Sequence, residues 1–179
     1  TISSVSSIKP FECETLTKER QVQLANVNKR LLTEMAKPPL GTEGAVCFTT
    51  EMERLTPKTI IGKAGSGSVK IPDFKTPYVL VHTHPDGETF SLSDINAFIK
   101  RDNLKLMLAV GNDGSVYALE KTKPYSKVKI DLCLKRLKTF YPKRLDSVKE
   151  YLDFINAFYR EAKSCGVRYY AGRYSQMEG

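Results

Sequence analysis

Histidine occurs only twice in this 179-residue chain, at His82 and His84, with Thr83 alone between them. In extended backbone, residues i and i+2 project to the same side, so both imidazoles can face a single point. An imidazole is largely uncharged at neutral pH and offers a nitrogen lone pair. Ten residues beyond His84, Asp94 supplies a carboxylate. Two imidazoles and a carboxylate, with a fourth position left to water, make an open tetrahedral zinc site of the kind that performs chemistry. We therefore expect His82, His84 and Asp94 to bind one Zn2+ per chain. A blander reading exists for the same residues: paired histidines can end a strand, and Ser91-Leu92-Ser93-Asp94 is also a helix N-cap pattern.

These side chains need particular elements to carry them. The apolar, β-prone run Tyr78-Val79-Leu80-Val81 predicts a buried central strand that delivers the chain onto His82. Ile95, Phe98 and Ile99 fall at helical spacing, which predicts a helix over 92–102 with Asp94 in its first turn. Upstream, residues 44–50 read as a strand with Glu43 at its mouth, and 59–62 as another. Gly65-Ser66-Gly67-Ser68 reads as a turn, because the Lys-Ser/Thr pair and following helix of a phosphate cradle are missing. Downstream, Asn112-Asp113-Gly114 joins two β-prone runs, 104–110 and 115–120, into a hairpin. Amphipathic helices are predicted over 17–36, 126–139 and 144–163. The first is stopped by Pro38-Pro39-Leu40-Gly41, and Pro142 divides the last two. Leu132, Leu134, Leu137, Phe140, Val148, Leu152, Ile155, Phe158 and Tyr159 supply the apolar spacing of that pair, and the tail over 168–174 is basic and aromatic without clear period. The expected class is α/β (α+β), a central mixed sheet flanked by helices. Three parts are expected within one compact domain: an N-terminal segment and helix (1–37), a metal-binding core (38–122) and a C-terminal helical extension (123–179).

Composition narrows the setting. The start Thr1-Ile2-Ser3-Ser4 lacks the pattern of a signal peptide, and no apolar run is long enough for a membrane span, so a soluble, cytoplasmic protein with no membrane partner is expected. The absence of an initial Met suggests a processed chain or a module of a longer polypeptide. Cys13, Cys47, Cys133 and Cys165 are dispersed, without a Cys-x-x-Cys pair, which argues against a zinc knuckle and a disulfide scaffold. Lys and Arg outnumber Asp and Glu by 28 to 20, a balance that suits an acidic partner or nucleic acid through the basic 121–144 stretch, or simply a solvated basic surface.

The order strand, His82-Thr83-His84-Pro85, short loop, Ser91-Leu92-Ser93-Asp94, helix resembles the signature of the JAMM (JAB/MPN) metalloenzyme superfamily, with five residues between Pro85 and Ser91 where six are common. The resemblance covers about half the chain. It implies a cytidine-deaminase-like, JAB/MPN-type layout and zinc-dependent hydrolysis of a peptide or isopeptide bond in a protein or peptide substrate. It further implies a glutamate from an earlier strand region as general base, for which Glu43 is the best match by order; Glu51, Glu53 and Glu88 are rivals. Ser91 would help stabilise the developing oxyanion. The parent is expected to be a bacterial or phage protein.

Other readings are a non-catalytic scaffold of the same kind and a basic nucleic-acid or partner-binding module. Multi-histidine hydrolase and phosphoesterase centres also open with His-x-His, but a chain with two histidines cannot build one.

Overall fold

The computed structural model describes residues 8–37, 41–63, 69–141 and 147–172. The turn expected at 65–68, the helix stop at 38–40, Pro142 with Lys143 and Arg144, and the tail from Arg173 lie outside the described residues.

The chain folds as α+β. In order it forms α1 (Lys18–Met35), β1 (Gly44–Thr49), β2 (Ile60–Ile61), β3 (Tyr78–His84), α2 (Leu92–Lys100), β4 (Leu104–Gly111), β5 (Val116–Lys121), α3 (Lys127–Phe140), α4 (Val148–Ala162), one 3₁₀ turn (Lys163–Cys165) and β6 (Val167–Gly172). The six strands make one mixed sheet in the order β2-β1-β3-β4-β5-β6. β3 and β4 run parallel, and the other neighbours are antiparallel. A parallel pair needs a crossover, and α2 provides it. That crossover sets the N-terminus of α2 just beyond the C-terminal end of β3, where open α/β sheets place their ligand sites.

Alternation along the strands separates two apolar layers. Val46, Phe48, Val79, Val81, Leu106 and Leu108 bury against α1 and the segment before it, through Leu24, Leu31 and Phe11. Cys47, Leu80, Met107, Tyr117 and Leu119 bury on the opposite face against α2, α3 and α4, through Phe98, Ile130, Phe154 and Phe158. β3 is buried along its whole length, as its continuous apolar run requires.

The C-terminal third differs from expectation in two ways. Leu134, Leu137, Ile155 and Phe158 are buried as expected, but Leu132, Phe140, Val148 and Leu152 stand at the surface, and Ile130, Cys133 and Phe154 fill the core positions instead. These helices carry apolar residues on more than one face, so spacing alone does not choose the inward one. The aromatic tail is in part a strand: β6 pairs with β5 from Lys121↔Val167 to Val116↔Gly172. The C-terminal part thus adds the helices α3 and α4 as expected and also, through Val167–Gly172, a strand to the sheet.

The segment ahead of α1 is strapped to β5 by a buried carboxylate. Glu120, only 2% exposed, accepts the Thr15 amide at 2.8 Å, the Thr15 hydroxyl at 2.6 Å and the Glu14 amide at 3.2 Å. Removing a buried acceptor that serves three part-buried hydrogen bonds costs about 1–3 kcal/mol. Glu120→Ala is therefore expected to lower unfolding stability by about 2 kcal/mol and to speed amide exchange at Glu14 and Thr15 in hydrogen-exchange mass spectrometry. Unchanged protection there would mean that Ile8, Phe11 and Leu16 hold the segment unaided.

Among the described residues, no helix is long and apolar enough to cross a membrane.

Candidate metal centre

His82 and His84 end β3 on the face that α2 covers, and the sequence after them returns Asp94 to meet both. The connection turns at Gly87, whose amide donates to the His84 carbonyl at 3.0 Å and whose φ is +71°. A side chain at Gly87 would be strained by that φ, and its Cβ would lie 2.9 Å from the Asp113 carboxylate. Glycine is thus what lets this short loop press against the β4–β5 turn and still bring Ser91 onto the strand end.

Ser91 then starts α2 as an N-cap. Its hydroxyl accepts the Asp94 amide at 3.1 Å and donates to Asp94 Oδ2 at 2.8 Å, while the Ser91 amide donates to the same oxygen at 2.7 Å. The capping reading and the ligand reading therefore hold together: the cap fixes the carboxylate and aims it at the histidines. Asp94 Oδ1 lies 3.6 Å from His82 Nε2, and Oδ2 lies 3.4 Å from His84 Nε2. The two Nε2 atoms are 2.9 Å apart.

These separations test whether zinc fits. Bonds of about 2.0–2.2 Å to nitrogen and oxygen imply tetrahedral ligand–ligand edges of about 3.3–3.5 Å, and the three observed separations straddle that range. The two imidazole nitrogens lie at hydrogen-bond distance, where a proton on His82 Nε2 or a cation between the rings satisfies both. His84 Nδ1 meets the Glu88 carbonyl at 2.8 Å, which assigns the proton to Nδ1 and turns the Nε2 lone pair inward. His82 Nδ1 is buried without a hydrogen-bond partner, so its ring is held by packing, including Phe90 at 6.1 Å between ring centroids. His82, His84 and Asp94 form a possible metal-binding triad, the one such group among the described residues.

Electrostatics point the same way. Burial raises the Asp94 carboxyl, but hydrogen bonding and charge from His82 and His84 outweigh it and hold the group well below the carboxylate range. Burial lowers the His84 imidazole, and Asp94, the Glu88 carbonyl and Glu43 more than reverse that. The cluster is thus built to stabilise positive charge at its centre.

Comparison with known family models, curated proteins and solved structures returned no match to this chain. The site rests on its own geometry.

Glu43 lies across the centre from α2, sharing the lining of two adjoining pockets with Ser91 and Asp94, one pocket with His82 and the other with His84. Burial raises its carboxyl, the His82 and His84 rings oppose this, and the Asp94 and Asp86 carboxylates add to it. Its backbone is held on both sides, because its carbonyl accepts the Gly62 amide at 2.8 Å and the next amide, of Gly44, donates to the Thr83 hydroxyl at 2.9 Å. Glu51 and Glu53 follow the other end of β1, where Thr49 pairs with Tyr78, and take no part. Glu88 belongs to the site through its backbone carbonyl.

Ser91 reaches the site as expected, but its hydroxyl proton goes to Asp94. Its role in the structure is to position that carboxylate, and a hydroxyl so engaged has no proton left for an oxyanion. Two contributors went unrecognised in the sequence. Thr83 sits between the histidines on the opposite face of β3 and binds the start of β1, next to Glu43, to the strand that carries them. Thr89 links the loop to a stacked tyrosine pair, its hydroxyl 3.1 Å from Tyr159 Oη and 2.9 Å from Tyr169 Oη, with the two rings 3.6 Å apart.

Proposed function

We propose that this chain is a zinc-dependent hydrolase of JAMM type, with the JAB/MPN-type layout, that cleaves a peptide or isopeptide bond. The observation that carries this reading is the convergence of the His82, His84 and Asp94 ligand atoms beside a half-buried Glu43. Zinc, when bound, supplies a Lewis acid that polarises a carbonyl and lowers the pKa of water toward about 7. His82, His84 and Asp94 would hold the ion. The Glu88 carbonyl and the Ser91 cap keep the His84 ring and the Asp94 carboxylate oriented, so little reorganisation is needed during reaction. Glu43 takes the proton from the attacking water and passes it to the departing amine nitrogen.

The purified protein is expected to cleave members of a quenched-fluorescent peptide or isopeptide library, to stop on chelation and to recover with added zinc. Cleavage that persists through chelation would refute the reading.

One observation favours a non-catalytic scaffold instead: the Ser91–Asp94 cap is complete as a helix start and needs no metal. A protein that takes up zinc yet cleaves nothing, with Glu43→Gln indistinguishable from the parent, would fit that alternative.

A further inference from the structure

The metal centre opens onto a groove that follows α4 and β6 away from it. The pocket holding Glu43, His84 and Asp94 shares Glu88, Thr89 and Tyr151 with a second concavity, lined also by Val148, Leu152 and Ala171. A third concavity, around Tyr159, Arg160, Lys163 and Arg168, lies on the other side of the stacked Tyr159–Tyr169 pair, so a bound chain joining the two passes over that stack. The order is consistent along both walls: from the centre outward, α4 contributes 148–152 and then 159–163, while β6 contributes Ala171, then Tyr169, then Arg168.

The walls differ in chemistry. The near section is apolar and wet: Val148 is 75% exposed and Leu152 44% exposed, positions where a large apolar side chain gains nothing until something covers it. The far section is cationic, and Arg160, Lys163 and Arg168 are exposed and without an ion-pair partner among the described residues. β6 is the last strand of the sheet, so one side of its backbone has no described strand beside it. An edge strand with side-chain pockets along it is a surface that extended peptides use.

We propose that the groove between α4 and β6 binds the substrate as an extended peptide, taking an apolar side chain beside Leu152 and a carboxylate between Arg160 and Lys163. Leu152 and the Arg160–Lys163 pair are 8 and 11 residues apart on one helical segment, a rise of about 12–16 Å. At about 3.3 Å per residue of extended chain, this span corresponds to about four residues between the apolar side chain and the acidic one. The substrate class is a polypeptide with that spacing next to its scissile amide. The substrate assignment rests on the hydrolase reading; the binding itself does not.

The test is fluorescence anisotropy with a labelled Ala/Ser-based decapeptide carrying one leucine and, four residues on, one aspartate. Saturable binding is expected. Leu152→Asp should weaken it at least about fivefold and the double variant Arg160→Glu with Lys163→Glu at least about tenfold, changes of about 1 and 1.4 kcal/mol. All substituted side chains are exposed, so circular dichroism should match the parent. Moving the aspartate to two residues from the leucine should weaken binding similarly. The parent stripped of metal by chelation should bind the peptide as the zinc-loaded parent does, which separates the groove from the metal: binding with no zinc-dependent cleavage removes the reaction and keeps the groove. The proposal is overturned if the parent shows no saturable binding, if the α4 variants bind like the parent, if spacing has no effect, or if a single-stranded oligonucleotide displaces the peptide and binds more tightly than it.

Discussion

His84→Ala is expected to abolish zinc binding, lowering the metal content from about one ion per chain to near zero by elemental analysis after dialysis against zinc. His84 is the better supported of the two rings, with Nδ1 tied to the Glu88 carbonyl and Nε2 near both His82 and Asp94. Two remaining ligands do not make a tight site for zinc, which takes at least three protein ligands in catalytic centres. The loss should also register as stability. A ligand present at a thousandfold its dissociation constant stabilises the folded state by about 4 kcal/mol, which for a chain of this size corresponds to a melting shift of about 8–16 °C. Chelation should therefore lower the melting temperature of the zinc-loaded parent by that order and leave His84→Ala unmoved. Equal zinc content in parent and variant, or no zinc in either, would remove the metal from the account.

Glu43→Gln should give the opposite pattern, retaining the metal and losing the reaction. The substitution keeps the volume and the backbone contacts of Glu43, so neither the Gly62 nor the Gly44 hydrogen bond is disturbed. What disappears is the carboxylate that accepts a proton. General-base contributions run at about 10²–10⁴-fold, and kcat is expected to fall by at least about a hundredfold with KM and zinc content little changed. Glu51→Gln, beyond the far end of β1, serves as the control and should match the parent. A Glu43→Gln enzyme that turns over normally would take the base role away from this residue.

The clustering of the possible triad was readable because the placement of its residues is local. The two-residue period of a strand puts His82 and His84 on one face, and the cap pattern at Ser91 places Asp94 in the first turn of the next helix, whatever the remainder of the chain does. The five-residue loop between Pro85 and Ser91 turns at Gly87 at positive φ, a conformation that the residue type suggests but the loop length conceals. Glu43 stood out in the sequence only through resemblance, since an acidic residue ahead of a strand has no period or spacing of its own.

What stayed hidden was non-local. The Gly44–Thr83 bond spans 39 residues, and the contacts of Thr89 with Tyr159 and Tyr169 span 70 and 80. Nothing in the residues near Thr89 signals a partner so far along the chain. β6 escaped notice because Tyr169 joins the layer under α4 while Tyr170 joins the layer under α1, so both faces are aromatic and no apolar–polar alternation appears. The basic stretch is likewise less available than its composition suggests. Lys121 is buried, its ammonium donating to the Phe98 carbonyl at 2.8 Å and to the Arg101 carbonyl, Lys127 pairs with Asp102 at 2.8 Å, and Arg136 pairs with Glu161.

The Thr83 hydroxyl has a consequence for how such a chain can diverge. It ties the start of β1 to β3 at the point where Ala45 faces His82, so Glu43 and the two histidines are set in register by one ladder. Gaining or losing one residue inside either strand would flip the side chains beyond it to the opposite face and separate Glu43 from the histidines. The connection between the strands bears on the centre as well, because the Gly62 amide holds the Glu43 carbonyl and Val69 and Ile71 line the same pocket as Glu43, His82 and Asp94. Divergence that keeps the centre must therefore keep both the strand register and the path of the chain past Glu43.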